Sequence, residues 1–133
     1  MDVEKGKQWL SRVRKLDYEI SDEIETIEEL YSCIGLQGVS YDKISVVSSP
    51  DNRFENIMAE IDLRKKRVEK LKERKAKAIL EVEKKISSLE PSPEKRILTR
   101  YYIGCKGMPE ISEALGYEIS YCYQLRKKGI EKL

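Results

Sequence analysis

Apolar residues recur at steps of three and four positions along two long stretches of this 133-residue chain. The first stretch runs from about Glu4 to Ile34, and the second runs from about Asp51 to Leu89. This spacing places the apolar side chains on one stripe of an α-helix. A long helix cannot bury such a stripe by itself. The two stretches therefore predict helices that fold back on each other as an antiparallel hairpin, or coiled coil, over residues 1–90.

Aliphatic residues dominate both stripes. The first stripe is Trp9, Val13, Leu16, Ile20, Ile24, Ile27, Leu30 or Tyr31, and Ile34. The second is Phe54, Ile57, Ile61, Val68, Leu71, Ala78, Val82 and Leu89. Arg64, Lys75 and Lys85 also fall on stripe positions, where a long basic side chain can lie along apolar surface and keep its charge in water. Turn formers and few charges predict a connecting loop over 35–50.

The remainder of the chain, 92–133, predicts a compact unit of three helices. Ser92 and Pro93 form a helix start, with Ile97, Leu98, Tyr101 and Tyr102 facing inward up to an end near Gly104. A second helix opens at Met108-Pro109 and carries Ile111, Ala114 and Leu115 on one face. Gly116 follows where a chain that leaves a helix often needs positive φ. The last helix, 118–132, has Cys122, Leu125, Ile130 and Leu133 on its buried face, and together these features predict a helix-turn-helix.

Composition excludes several classes of function. The chain has no histidine, and its three cysteines form no CxxC pair, so a Cys/His zinc site is nearly excluded and no metal or cofactor is expected. The missing histidine also removes the commonest general base, which leaves an enzyme as the least favoured reading. Cys122 is interpreted as a small core residue rather than a reactive thiol. Without a membrane-length apolar run or a signal-peptide pattern, we expect a cytoplasmic protein that makes no membrane contact.

The segment 96–133 resembles region 4 of sigma-70-type transcription factors, which reads the −35 promoter element. The matching residues are Arg96, Ile97, Leu98, Arg100, Tyr101, Glu110, Ile111, Glu113, Leu115, Gly116, Gln124, Leu125, Ile130 and Leu133. A long hairpin ahead of such a unit is similar to the small late-gene activators of Gram-positive phages and prophages, of the ArpU and RinA type. The resemblance implies a DNA-binding regulator of transcription and, as a further partner, RNA polymerase.

Two positions depart from the sigma pattern at the start of the last helix. Glu118 stands where the family often has Thr or Ser, and Ile119 stands where sigma factors frequently have Arg. A carboxylate there can stabilise the helix start, but it also lies close to where phosphates would be. The promoter sequence that the family reads is therefore not carried over to this chain.

The exposed side of the last helix supplies the candidate DNA-binding residues. These are Ser120, Tyr121, Tyr123, Gln124, Arg126, Lys127 and Lys128. Gln124 can pair with adenine through two hydrogen bonds, whereas the basic residues would hold phosphates without reading sequence. For Tyr121 and Tyr123 we favour contact with DNA over packing within the protein. For Tyr101, Tyr102 and Tyr117 we favour packing.

Two questions stay open at the level of sequence. The basic stretch 64–77 is either a solvated helix face, which we favour, or a surface for DNA phosphates or an acidic partner. Acidic residues of the first helix are placed to face it across the hairpin, namely Asp22, Glu23, Glu25, Glu28 and Glu29. The second question is function: a sequence-specific DNA-binding regulator that forms a homodimer through the hairpin, or a protein-interaction module that docks on RNA polymerase or an adaptor.

Overall fold

The computed structural model describes residues 1–34 and 53–133, and all regular elements within these ranges are helical. The elements are α1 (Val3–Leu10), α2 (Arg12–Cys33), α3 (Arg53–Ile86), α4 (Pro93–Leu98), a π-helix (Thr99–Ile103), α5 (Met108–Leu115) and α6 (Ile119–Glu131). The all-α prediction is confirmed for the described residues. The predicted loop 35–50 lies outside them.

Ser11 interrupts what the sequence predicts as one helix from Glu4 to Ile34. Its ψ of −1° departs from helical geometry. The Ser11 hydroxyl and the Ser11 backbone N–H both donate hydrogen bonds to the Lys7 carbonyl. A serine hydroxyl that bonds back to the carbonyl four residues earlier often bends a helix. The prediction of an unbroken first helix is therefore wrong at this residue.

Local side-chain hydrogen bonds determine where the later helices begin and end. α3 stops at Ile86, three residues before the predicted end, where the Ser87 and Ser88 hydroxyls donate to the Lys84 and Lys85 carbonyls at 2.9 and 2.7 Å. α4 starts as predicted, because the Ser92 hydroxyl accepts a hydrogen bond from the Lys95 N–H at 3.2 Å.

Residues 99–103 form a π-helical turn that the sequence does not predict. The Gly104 N–H donates to the Thr99 carbonyl, five residues earlier, at 3.0 Å. Within this turn the Tyr101 and Tyr102 rings meet edge to face, with centroids 4.9 Å apart, and Tyr102 is 1 % exposed. Single π turns inside helices are uncommon and often lie at functional sites.

By packing, the described residues group into two units. Unit 1 contains Met1–Asp17 and Arg74–Leu133, and unit 2 contains Tyr18–Glu73. Unit 1 thus joins α4, α5 and α6 with α1 and with one end of each long helix, whereas the sequence divides the chain into 1–90 and 92–133. The assignment of 92–133 as a domain of its own stays a prediction.

Unit 1 holds two apolar clusters. The Tyr102 cluster joins residues of both long helices, α1, α4, the π-helix and α6: Leu10, Val13, Ala78, Val82, Ile86, Leu98, Tyr102 and Ile130. The Ile111 cluster joins α4, α5 and α6: Ile97, Met108, Ile111, Cys122 and Leu125. Within this unit Arg12 pairs with Glu81 at 2.8 Å and Asp17 pairs with Lys75 at 2.8 Å, so α2 and α3 run in opposite directions here.

Unit 2 is described as two helix segments that bury one stripe each. Its core, the Ile61 cluster, contains Ile20, Ile27, Ile34, Ile61 and Val68. Glu23 pairs with Arg64 at 3.1 Å. At this position an acidic residue of the first helix faces the basic stretch of the second, as predicted. Most predicted stripe residues are buried or partly buried, but Ile24 and Phe54 are 39 % and 45 % exposed.

Candidate nucleic-acid interface

The turn between α5 and α6 is set by Gly116. Its φ of +74° is left-handed, and its N–H donates to the Ser112 carbonyl at 2.9 Å, which closes the end of α5. A Cβ at this position would meet nothing within 4 Å, so the backbone angle is the reason for glycine. The Ser112 hydroxyl also donates to the Tyr117 carbonyl. The positive φ predicted at Gly116 is confirmed.

The next helix begins without a side-chain cap. Glu118 is the N-cap residue of α6 and its backbone is extended, but its carboxylate makes no capping hydrogen bond. Ile119, the first helical residue, is 43 % exposed. The two departures from the sigma pattern therefore stand side by side on the surface, at the end of α6 where a major-groove reader meets the bases.

The buried face of α6 holds the helix in unit 1. Cys122 and Leu125 lie in the Ile111 cluster and Ile130 lies in the Tyr102 cluster, which confirms their predicted burial. Leu133 is partly buried against the Tyr102 cluster, and the core role predicted for Cys122 is confirmed by its 0 % exposure. On α5, Ile111 is buried, whereas Ala114, which shares the predicted apolar face, is exposed.

A close approach at Gly129 completes this packing. A Cβ there would stand 2.8 Å from Leu98 Cδ1 and 3.2 Å from Glu94 Cβ, so a larger residue at position 129 would require the buried Leu98 side chain to shift. The apolar pattern of the sequence assigns no role to Gly129. A glycine inside a predicted helix is costly, and that cost is a signal of close packing.

Six of the seven candidate DNA-binding side chains are exposed on α6. They are Ser120, Tyr121, Tyr123, Gln124, Lys127 and Lys128. At about 100° per residue, Ser120, Gln124 and Lys127 lie along the centre of the exposed face. Tyr121 and Lys128 lie on one side of that line and Tyr123 on the other.

The aromatic residues around α6 fall into two groups. Tyr101, Tyr102 and Tyr117 pack against the clusters of unit 1, as predicted. Tyr121 and Tyr123 are 41 % and 45 % exposed. The Tyr117 ring meets the Tyr121 ring edge to face, with centroids 5.4 Å apart, so a packed residue orients an exposed one.

Arg126 differs from the other candidate residues because it is half-buried. Its guanidinium carbon lies 5.3 Å from the centroid of the Tyr101 ring and 5.1 Å from that of Tyr123, within the range of cation–π attraction. Burial raises the pKa of the Tyr102 phenol, and the nearby Arg126 guanidinium partly offsets that rise. Arg126 thus lies near both the packed Tyr101 ring and the exposed Tyr123 ring.

A second arginine reaches the same ring from α2. Arg14 lies 4.0 Å from the Tyr101 ring centroid and donates hydrogen bonds to the carbonyls of Tyr101 and Lys106 at 2.9 and 3.0 Å. It ties α2 to the π-helix and to the chain that leads into α5. The sequence pattern held no signal for this role, because it depends on contacts between residues about ninety positions apart.

Some residues of the basic stretch 64–77 pair with acidic side chains of the unit in which they lie. In unit 2, Arg64 contacts Glu23 and Glu60, each at 3.1 Å, and Lys72 lies 3.9 Å from Glu69. In unit 1, Lys75 contacts Asp17. Exposed pairs of this kind contribute only about 0–1 kcal/mol. The pairing favours the interpretation as a solvated helix face.

Neither a metal site nor a membrane span is found in the part of the chain that the structure covers. Residues 1–34 and 53–133 hold no group of three or more potential Cys, Asp or Glu ligands, and none of their helices is long and apolar enough to cross a membrane. Comparison with protein-family models, with curated proteins and with solved structures found no match to this chain.

Proposed function

We propose that this protein is a sequence-specific DNA-binding regulator of transcription, in which α5 and α6 act as a helix-turn-helix and α6 enters the major groove. The observation that carries the proposal is the division of α6 into two faces. One face is buried in the clusters of unit 1, and the other presents Ser120, Gln124 and Lys127 to solvent on a helix fixed by its neighbours. A rigid helix with a polar and basic outer face is what base recognition in the major groove requires.

Each exposed residue has a separate part in this proposal. Gln124 pairs with an adenine, and Ser120 lies one turn earlier, where it can contact a neighbouring base edge. Lys127 and Lys128 hold phosphates and give affinity without sequence information. Tyr121 and Tyr123 contact the DNA backbone through their hydroxyls. Arg126, whose guanidinium lies near the Tyr123 ring, keeps that ring in place.

The larger architecture belongs to the same proposal. We infer an antiparallel α2–α3 hairpin followed by a sigma region 4-like unit, the arrangement of the phage and prophage regulators that the sequence resembles. The opposite directions of α2 and α3 within unit 1 support it. The hairpin would join two copies, or would contact RNA polymerase, while α6 holds the operator.

Selection of bound duplexes from a random DNA pool, with the full chain, tests the proposal directly. We expect one preferred site, bound with an affinity that falls steeply as salt rises. Gln124→Ala should weaken that site by about 5- to 150-fold, with little effect on unrelated DNA, because a paired base contact is lost. Gln8→Ala, the same change on the exposed side of α1, is the control.

Lys127→Ala separates affinity from specificity. It should weaken all duplexes alike and lower the salt slope by about one, since one phosphate contact is lost. Lys84→Ala, an exposed lysine of α3, should change neither quantity. If Gln124→Ala and Lys127→Ala bind the preferred site as tightly as the parent, α6 does not read DNA.

A second candidate function rests on a different property of α6. Ile119, Tyr121 and Tyr123 are all large apolar residues that are more than 40 % exposed, and Glu118 lies beside them. Aromatic side chains are enriched at protein interfaces, whereas a carboxylate beside them repels a phosphate backbone. The protein would then dock on RNA polymerase or an adaptor. Absence of DNA binding at low salt, together with co-purification with polymerase, would support this function.

A further inference from the structure

A groove with an apolar floor lies between α2 and α3 in unit 2. Its volume is about 410 Å³, and Ile24, Ile27 and Val68 line its floor. Ile27 and Val68 belong to the buried Ile61 cluster, but Ile24 is 39 % exposed although it falls on the same stripe. Ile24 of α2 is therefore an aliphatic groove residue that the described part of unit 2 leaves partly exposed.

The rim of the groove carries both signs of charge. Glu28 stands on the α2 side, and Lys65, Lys66, Glu69 and Lys72 stand on the α3 side. Lys72 and Glu69 are 3.9 Å apart. With three lysines against two glutamates, the rim offers little net charge to a strongly acidic or strongly basic partner.

One edge of the groove is held in place by an aromatic contact. Tyr31 lines the groove on α2, and the Lys65 Nζ lies 5.2 Å from the centroid of its ring. A lysine over an aromatic face is attracted by the ring electrons. This contact joins the α2 and α3 walls across one edge of the groove.

We propose that a second copy of this chain docks in the groove, so that two hairpins pair face to face. In a two-fold dimer the same patch meets itself and must therefore be self-complementary. If all rim residues carried charges of one sign, the rims of the two copies would repel each other. In this mixed rim, Glu28 on the α2 side of each copy can face the lysines on the α3 side of the other. The exposed Ile24 side chains would be buried in the contact.

This inference deepens the proposed function, because a dimer would present two α6 helices to two half-sites of an operator. It assigns the dimer contact to one face of unit 2. That face is testable without DNA.

Sedimentation of the full chain over a range of concentrations, up to about 100 µM, is the first test. We expect the parent to dimerise and Ile24→Glu to weaken the dimer at least about tenfold, because a charge replaces a side chain that the contact would bury. Leu63→Glu is the matched control, since Leu63 is 47 % exposed in the same unit and does not line the groove. It should leave the dimer unchanged.

A charge exchange tests the pairing itself without removing apolar surface. Glu28→Lys makes the rim more positive, and Lys66→Glu makes it more negative while it leaves the Lys65–Tyr31 contact intact. Each variant alone should dimerise more weakly than the parent. An equal mixture of the two, with one variant labelled with ¹⁵N so that the masses differ, should form a heterodimer, detected by native mass spectrometry, because each altered wall then meets its opposite charge.

The outcomes separate this inference from the proposed function. A parent that stays monomeric, or an Ile24→Glu protein that dimerises as well as Leu63→Glu, overturns the groove as the contact even if the preferred DNA site is still bound. A groove-dependent dimer that binds no duplex supports the contact and counts against the DNA-binding function. Circular dichroism melting should show that all four variants keep the helical content of the parent.

Discussion

Gly6 of α1 lies against Ile130 of α6 so closely that a Cβ on Gly6 would stand 2.4 Å from Ile130 Cγ2. Both residues are buried. Carbon atoms that are not bonded prefer separations of about 3.5–4.0 Å, so no side chain fits between these helices as they stand. Glycine at position 6 therefore determines how near α1 lies to the proposed reading helix.

Gly6→Ala should lower the stability of unit 1. Alanine favours the helix by about 1 kcal/mol, but overpacking at a buried branched side chain costs about 1–3 kcal/mol. We expect a net loss and a lower Tm in thermal melts of the full chain. Ile130→Ala removes the clashing methyl group, so Gly6→Ala should cost less in that background. A higher Tm for the single variant would show that the contact is looser than the distance indicates.

Gly116→Ala should destabilise the turn that leads into α6. A non-glycine residue in the left-handed region costs about 1–2 kcal/mol, and the open space around Gly116 leaves no other cause for a loss. Gly116→Asn should cost less, since asparagine tolerates this region. Equal losses for Gly116→Ala and Gly116→Asn would contradict the backbone explanation.

Sequence periodicity predicted the helical elements because burial of an apolar stripe is a local pattern. Val13, Ile27, Ile61 and Val82 are buried as their spacing requires. Leu10 was missed, although it is 0 % exposed, because its neighbour Trp9 fits the simple step of four better. The break at Ser11 and the π-helix also escaped prediction, since each depends on which carbonyl a particular group bonds.

The surroundings of the candidate site were less accessible to sequence reasoning than the helices were. The exposed positions of α6 follow from its own periodicity, and Tyr121, Tyr123 and Gln124 are exposed as predicted. Arg126 was placed with the phosphate contacts, but its approach to the Tyr101 ring depends on the packing of α6 against the π-helix. Arg14 and Gly6 act from the opposite end of the chain, which no local pattern reveals.

Glu94 should make the stability of unit 1 depend on pH in the acid range. The backbone N–H of Glu94 above all, and then Ser92 and Lys132, hold the pKa of this carboxyl below its ordinary value of 4.5. The carboxylate's contribution is therefore fully present above pH 4.5 and is lost as pH falls through the lowered pKa. Glu94→Gln should cost about 0.5–1 kcal/mol at pH 7 and nothing at low pH. Urea unfolding at several pH values measures this, and Glu113→Gln on the exposed side of α5 is the control.

Arg126→Lys should separate support of the site from contact with DNA. Lysine keeps the charge but loses the flat guanidinium that lies near the Tyr101 and Tyr123 rings, so we expect a loss of about 1 kcal/mol in the free energy of unfolding. Lys127→Arg, at the next and exposed position, should leave stability unchanged. If Arg126→Lys melts like the parent and only DNA affinity falls, Arg126 acts on the phosphates directly.

Glu118 combines an effect on stability with an effect on binding, and two substitutions separate them. Glu118→Ser supplies a hydroxyl that can accept from the free N–H groups of the first turn of α6, so stability should rise by about 0.5–1 kcal/mol. Glu118→Gln offers no comparable short cap and should give little or no gain in stability. Both substitutions remove a negative charge beside the proposed DNA surface. Both variants should therefore bind the preferred duplex more tightly than the parent, most clearly at low salt. Thermal melts and binding titrations at two salt concentrations measure the two effects. A gain in stability without any gain in affinity for either variant would mean that the start of α6 does not face DNA, which favours the protein-docking function instead.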